Sequence, residues 1–350
     1  MTPQCFRREC SIPDRVPTVT VAIPTLGADD SLVECLESLR QQNFSDFEVV
    51  VVDNSGRGLV KLMGAATLGV ARVMEMSCNV GFGAAINAAW EGSGARYLAT
   101  LNDDAVAAAG WLSALVSTAE RRPEAGMFAS RVMLEDDSLD SAGMLLCADG
   151  SSKQRGHGEA PERFAQEEEV LLPSASAALY RGEMLRQVGA FDGDFFLYCE
   201  DTDLGLRARR AGWTSVYVPS AVVRHRYSHS AGRVSALKAY YVERNRLFVA
   251  VKNFPAALLP YLPFAAALRY LWHVIFMVQG KGAAAHFATE SNAGWRLPVL
   301  VLRAHMGLLR NLPRLLKQRR KIQASARVAN PAFCKVLRRY SLSPRKIASY

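Results

Sequence analysis

The sequence predicts an α/β fold: an open, mostly parallel sheet flanked by helices, with a helical region of different character after it. Three observations carry this expectation. Short β-branched runs alternate with amphipathic stretches along most of the chain. Several of those runs end in Asp or Asn, as strands do where ligands gather at the carboxyl edge of a parallel sheet. The final part joins a long apolar stretch to a tail that carries only basic charge.

Residues 19–23 and 48–53 read as strands, and the amphipathic stretch 31–42 between them completes a βαβ unit. Alternation continues through a strand at 71–76, a small-residue helix at 83–90, a strand at 97–101 ending in Asn102-Asp103-Asp104, and a helix at 111–121. Residues 135–170 turn Gly-, Ser- and Glu-rich and predict an irregular hairpin or loop excursion over the site. Order returns at Ala177, and residues 191–198 lead into Glu200-Asp201-Thr202-Asp203 and a helix at 204–210 closed by Gly212. A strand at 215–218 and a segment ending in Val223-Arg224-His225 close a first domain expected over residues 16–230.

Residues 231–350 are expected to form a helical, basic region that associates with membranes. The stretch 254–278 is almost wholly apolar, but only 256–268 lacks a polar side chain, and Pro260 and Pro263 interrupt it. A bilayer span needs about twenty residues, so an interfacial or re-entrant helix is the expectation. Further on, Arg303, Arg310, Arg314, Lys317 and Lys321 would share one helical face opposite Leu300, Leu308, Leu312 and Leu315, with a kink at Pro313. After Glu290 there is no Asp or Glu and there are 14 Lys or Arg, so the net +9 of the chain leaves −5 for what precedes. A basic tail with a leucine face points to an anionic membrane surface, and no RNA- or DNA-reading motif accompanies it, so nucleic acid is not an expected partner.

With 350 residues and 50% hydrophobic side chains the chain has ample core. Its seven cysteines are scattered without a C-x-x-C pair, and they read as reduced thiols. Residues 1–17 are polar, carry Arg7, Arg8 and Arg15 and lack an apolar run, which predicts no signal peptide and a cytosolic location.

Group transfer from a phosphate-bearing ligand needs a cradle for that ligand, neutralisation of the departing charge and a base for the incoming nucleophile. Asp53, at a strand end, can accept hydrogen bonds from a ribose or a base N–H. Asn79-Val80-Gly81-Phe82-Gly83 brings backbone close to a ligand at a helix start, where phosphate is favoured. Ile86 occupies the third glycine position of a dinucleotide fingerprint, which argues against hydride transfer. Asp103 and Asp104 suit a hard divalent cation, Mg2+ or Mn2+. Glu200, Asp201 and Asp203 cluster after an aromatic run, at a helix start that favours the ionised carboxylate a general base needs. His225 could serve a metal or a phosphate, and His229 lies close enough in sequence that spacing does not choose between them.

Jointly these stretches resemble the family 2 glycosyltransferases of the GT-A fold, in particular their rhamnosyltransferase-like branch. The resemblance rests on Val21-Ala22-Ile23-Pro24-Thr25, Val51-Val52-Asp53-Asn54, Asn79 to Gly83 with Asn87, and Leu101 to Asp104. It continues through Val188 to Asp192, Phe196 to Leu204 with Arg207, Val218 to His225, and Arg244-Asn245-Arg246. It implies that Thr25 and Asp53 contact the nucleoside, that Gly81, Asn87 and Asp103 line the donor side, and that Asp104 is the metal-binding acid, helped by His225. It implies too that Asp201 is the catalytic base, with Ser176, Glu200, Asp203 and Arg207 supporting the acceptor side or the active site. Asn102 replaces the first acid of the family's metal element, and Ser174-Ala175-Ser176 stands where this branch usually has a glycine. The implied reaction is a single inverting displacement from a nucleotide-sugar donor to a lipid-linked glycan acceptor in cell-surface polysaccharide synthesis, at the cytoplasmic face of the inner membrane. dTDP-L-rhamnose is the favoured donor by resemblance, with a UDP- or GDP-sugar as the alternative. A nucleotidyltransferase would need cations for a triphosphate near the first strand, where only Arg40 and Arg57 lie between Val19 and Lys61. A catalytically silent glycan- or membrane-binding scaffold would have no use for the acidic clusters.

Overall fold

In the computed structural model, which describes residues 16–225, 235–282, 285 and 296–349, the chain begins with β1 (Val19–Thr25), α1 (Asp30–Arg40) and β2 (Phe47–Asp53). Every residue of β1 is buried, which is why its sequence lacks polar alternation. The Asp29 carboxylate caps α1 by accepting from the Leu32 amide, and Leu32, Cys35, Leu36 and Leu39 enter the core at helical spacing. Next come a short α2 (Ala65–Leu68), β3 (Arg72–Glu75), α3 (Phe82–Trp90), β4 (Tyr97–Leu101), β5 (Ala105–Ala107) and α4 (Trp111–Arg121). β6 (Ala125–Met133) is followed by short strands β7 (Leu139–Ser141), β8 (Met144–Cys147), β9 (Ser152–Gln154) and β10 (Glu168–Glu169). The stretch expected to be irregular is thus tied down by backbone pairing. β11 (Ala177–Arg181), α5 (Gly182–Val188), α6 (Glu200–Arg210) and β12 (Thr214–His225) follow. The chain ends with α7 (Ala236–Asn253), α8 (Leu262–Val278), α9 (Leu297–Ala324), α10 (Asn330–Arg339), β13 (Ser341–Leu342) and α11 (Pro344–Ala348).

The main sheet runs β10-β12-β6-β11-β4-β1-β2-β3, with β5 on β12 and β7 on β6. Its β4-β1-β2-β3 half is parallel throughout, β12 runs parallel to β6, and β11 is antiparallel to both of its neighbours. The segments expected at 215–218 and before His225 are one strand, β12, with a register shift between Val218 and Val222. Pro219 sits in that shift, where its missing N–H breaks no ladder bond.

The chain divides into two compact units. The first takes the chain up to Gly143, Gln154–Phe196 and the β12 stretch from Trp213, and the second takes Met144–Lys153, Leu197–Gly212 and the C-terminal helices. The first unit's core gathers Val21, Ile23, Leu32, Val51, Leu101, Trp111, Phe128 and Val218.

In the second unit, α9 packs on α7: a Cβ on Gly307 would meet Tyr240 Oη and Arg244 Cδ, each at 3.2 Å. Leu300 and Leu315 are buried there, with Leu308 and Leu312 half-buried. The leucine face expected to lie in lipid is therefore covered by protein, because α7 offers it apolar surface within the same unit. A different stripe, Leu302, Met306, Leu309 and Leu316, is exposed on α9 beside Arg303, Arg310 and Lys317.

Candidate active site

Within the first unit, pairing aligns Thr25 with Asp53 and Ala22 with Thr100, so β1, β2 and β4 end together. Thr25, Asp53 and the Asn102-Asp103-Asp104 turn thereby share the carboxyl edge of the sheet, where such folds bind ligands. Asp53 is buried and organises the following loop. Its Oδ1 accepts from the Ser55 amide at 3.0 Å, and its Oδ2 accepts from the Val60 amide at 2.9 Å. Burial lifts the Asp103 carboxyl to about 6, partly opposed by a hydrogen bond from Thr25 and reinforced by the charges of Asp104 and Asp29.

Asp104 and His225 lie 121 positions apart in sequence and meet because β5 pairs with β12, placing Ala105 opposite His225. His225 Nε2 stands 3.1 Å from Asp104 Oδ1 and 3.1 Å from Asn102 Nδ2. Its Nδ1 lies 3.1 Å from Asp140 Oδ2, and Asp140 Oδ1 also meets His157 Nδ1 at 3.0 Å. Asp140 arrives on β7, which pairs with β6, the neighbour of β12. Burial disfavours the charged imidazole, but hydrogen bonds and charge from Asp104 and Asp140 outweigh it and hold His225 up at about 10. Asp140 and His157 have no part in the sequence reading. They fall in the stretch taken for a loop, and only strand pairing brings them to His225. His229 lies outside the described residues.

Among the described residues no group of three or more His, Cys, Asp or Glu forms a metal cage. Asp104 and His225 nevertheless fit a divalent ion as a pair. Asp104 Oδ1 is buried and faces His225 Nε2 at 3.1 Å, and an oxygen beside an imidazole whose far nitrogen is held by a carboxylate is a familiar donor set.

The α3 start is shaped by packing. Gly81 has φ +87°, and a Cβ there would fall 2.3 Å from the Phe196 carbonyl oxygen, so glycine is required by the Phe196 backbone itself. Asn87 uses both ends of its amide on Phe191, donating to its carbonyl at 2.7 Å and accepting from its amide at 3.0 Å. Its amide thus holds the loop before Phe196. The Ser176 carbonyl accepts from the Asn102 amide at 2.9 Å, and its hydroxyl lies 3.0 Å from that of Ser174.

In the second unit, α6 begins at Glu200 after an unusual backbone path. Phe196, Tyr198 and Cys199 have φ of 63°, 68° and 66°, left-handed values that cost a non-glycine residue about 1–2 kcal/mol each. Asp201 is half-buried, and its Oδ1 accepts from the Thr202 amide at 2.6 Å. Thr202 Oγ1 in turn lies 2.7 Å from Ser152 Oγ. Glu200 is buried, and its Oε2 has no hydrogen-bond partner. Burial, then the Asp201 charge, pushes its carboxyl up to about 8, so it is neutral at pH 7.

Asp203 and Arg207, expected to support the acceptor side or the active site, form a buried ion pair. Asp203 is 0% exposed and bonds Arg207 Nε at 2.8 Å, Lys252 Nζ at 2.9 Å and Asn253 Nδ2 at 2.9 Å. Burial works against its charge, but Lys252 and then Arg207 win and hold the carboxyl down at about 2. The pair anchors α6 to α7. Lys252 and Asn253 sit where polar residues read as solvent-facing, so the sequence gives no sign of this cluster.

The fold is the GT-A fold of nucleotide-sugar transferases. It aligns with the solved structure of GalNAc-T7 with UDP, GalNAc and Mn2+ at a TM-score of 0.58 and 13% identity, over 73% of this chain and 51% of that one. TarS of S. aureus aligns at 0.50 and 17% identity, over 88% of this chain and 55% of that one. The chain thus spans about half the length of these solved structures.

The sequence profile described as "Glycosyltransferase like family 2" matches residues 17–249, more than half of the chain, and the protein belongs to that family of glycosyltransferases. Over 248 residues it is 29% identical to the N-acetylglucosaminyl-diphospho-decaprenol L-rhamnosyltransferase of Mycobacterium tuberculosis, covering 63% of this chain and 78% of the relative. It is 27% identical over 228 residues to the O-antigen biosynthesis protein RfbC of Myxococcus xanthus, covering 61% of this chain and 18% of that protein.

Proposed function

We propose that the protein is an inverting glycosyltransferase that moves a sugar from a nucleoside-diphosphate sugar, dTDP-L-rhamnose being favoured, to a hydroxyl of a lipid-linked glycan during cell-surface polysaccharide synthesis. The observation that carries this reading is the buried Asp104–His225 pair at the carboxyl edge of a GT-A sheet. Likeness to a rhamnosyltransferase named for a decaprenol-linked substrate supports the donor and acceptor classes.

Asp104 and His225 would hold Mg2+ or Mn2+, which when bound neutralises charge on the departing diphosphate. Thr25, Asp53 and Asp103 would contact the nucleotide. Asp201 takes the proton of the acceptor hydroxyl as its oxygen bonds to the anomeric carbon. The bond from that carbon to the phosphate oxygen breaks, and the nucleoside diphosphate leaves with the electron pair. One base and one displacement give inversion without a covalent nucleophile.

The protein would work at the cytoplasmic face of an anionic membrane as a peripheral or monotopic protein, and the apolar surface of the second unit supports its membrane contact. The apolar segment Ala256–Val278 is 23 residues long and is the one helix among those described that is long and apolar enough to cross a bilayer. Phe264, Leu268, Leu271, Val274 and Val278 are exposed along α8. An exposed apolar stripe in a unit rich in basic side chains suits a helix lying in the headgroup layer.

The test is a donor panel with protein purified in detergent, scoring nucleoside diphosphate released from dTDP-rhamnose, UDP-galactose, UDP-N-acetylglucosamine and GDP-mannose with Mn2+ or Mg2+. Selective, metal-dependent turnover of dTDP-rhamnose is expected. Selective use of another donor overturns the rhamnosyl assignment, and binding of none overturns the enzyme reading. Asp201→Asn should abolish transfer while nucleotide binding persists, and retained turnover would remove Asp201 from the role of base.

A further inference from the structure

The path into α6 needs an explanation, because left-handed residues other than glycine persist only where their surroundings hold them. Tyr198 and Cys199 both have positive φ, and Cys199, the N-cap of α6, makes no side-chain cap bond. The strain lies immediately before Glu200 and Asp201. The residue that holds it is Asn245 on α7, which is 0% exposed. Its Nδ2 donates to the Leu197 carbonyl at 2.8 Å and to the Tyr198 carbonyl at 2.7 Å. Its Oδ1 accepts from Arg244 Nε at 2.9 Å, so the amide orientation is fixed from behind. Arg244 is itself seated on the rings of Tyr241 and Phe248, at 4.7 and 4.8 Å from their centroids. Every hydrogen-bonding group of the carboxamide is thereby committed within the second unit.

We infer that Asn245 is a positioning residue for the base: by holding the Leu197 and Tyr198 carbonyls its carboxamide locks Tyr198 and Cys199 in their left-handed conformation, and that path sets where the first turn of α6 places the Asp201 carboxylate. The inference rests on the reading of Asp201 as base. Buried carbonyls that lose their donor cost free energy, and a strained loop released from its clamp relaxes toward ordinary backbone angles. A base displaced by about 1 Å can cost about a hundredfold in rate, whereas nucleotide affinity is set by other residues.

The experiment compares the full chain with Asn245→Ala and Asn245→Asp. The second variant preserves size and the bond from Arg244 but replaces the amide donor with an acceptor, and it stands in if Asn245→Ala does not fold. Turnover with the donor identified by the panel, donor KM, nucleoside diphosphate affinity by calorimetry and thermal midpoint are measured alongside Asp201→Asn. We expect kcat to fall by about ten- to a hundredfold in a folded variant, with nucleotide affinity within about twofold of the native value. A kcat within twofold of native in a folded Asn245 variant, with Asp201→Asn inactive, overturns the positioning role. Active Asp201→Asn instead removes the base assignment and the inference with it. A fall in kcat matched by an equal loss of nucleotide affinity marks Asn245 as a general structural residue and also overturns the inference.

Discussion

If Asp104 and His225 hold the metal as proposed, raising the pH should tighten Mn2+ binding, because the metal and a proton would compete for His225. The imidazole stands 3.1 Å from carboxylate oxygens of both Asp104 and Asp140. Burial lowers its proton affinity, yet the two carboxylates more than compensate and lift its pKa from 6.5 to about 10. A metal reaches Nε2 only after that proton leaves, so one proton is released for each ion bound below about pH 10. Apparent affinity then rises about tenfold per pH unit, roughly a hundredfold between pH 6.5 and 8.5, or about 2.7 kcal/mol. Free Mn2+ followed by electron paramagnetic resonance gives the affinity, and calorimetry in buffers of different ionisation enthalpy counts the protons. His225→Ala should flatten the pH slope. An affinity unchanged across this interval in the native protein would refute the reasoning. The same proton supports the metal-free fold, and the sign follows from a folded-state pKa above the unfolded one. The stabilisation, on the order of 5 kcal/mol, is complete below pH 6.5 and lost as pH rises through about 10. The thermal midpoint of the metal-free protein should fall over that window, and Mn2+ should offset the fall.

Asp203→Ala leaves Lys252 and Arg207 buried beside an empty position and should destabilise the protein by about 3–5 kcal/mol in chemical denaturation. Because the folded-state pKa of Asp203 is depressed to about 2, its contribution is present above about pH 4 and disappears as pH falls through 2. Gly81→Ala places a Cβ 2.3 Å from the Phe196 carbonyl oxygen at a positive φ, and should lower stability by more than about 2 kcal/mol, read as a drop in thermal midpoint. Replacing Leu302, Leu309 and Leu316 together by Ser should weaken co-sedimentation with vesicles rich in anionic lipid while leaving nucleotide affinity intact, since all three are exposed. Unchanged co-sedimentation would exclude that stripe of α9 from the membrane contact.

The parallel half of the sheet is legible because β1, β2 and β4 are continuous apolar runs that finish in Thr25, Asp53 and Asn102, and such runs have few other uses than a buried strand. Asp104 and His225 can be picked out for the same reason, each standing where an apolar strand surfaces. Asp140 could not be. It lies on a three-residue strand in polar sequence, and its meeting with His225 depends on two strand pairings across 85 positions, which leave no local trace. Lys252 and Asn253 were hidden differently, and Asn245 entered only within the Arg244-Asn245-Arg246 match with no role attached: periodicity assigns polar residues on an amphipathic helix to solvent, whereas α7 is covered on more than one side. The leucine face of α9 misled by the converse route, since a face apolar enough for lipid is equally suited to another helix.

α7 grips α6 at two points, Asn245 at the carbonyls that precede the helix and Lys252 with Asn253 at Asp203. Asn245 and Asn253 are eight residues apart, just over two turns and about 12 Å of helix. α7 therefore acts as a gauge whose length, more than the identity of the residues between its two marks, is under constraint. Adding or removing one residue between them would turn one grip about 100° away from the other. Substitutions along residues 247–251 that respect packing should be tolerated there, while length changes in the same interval should not.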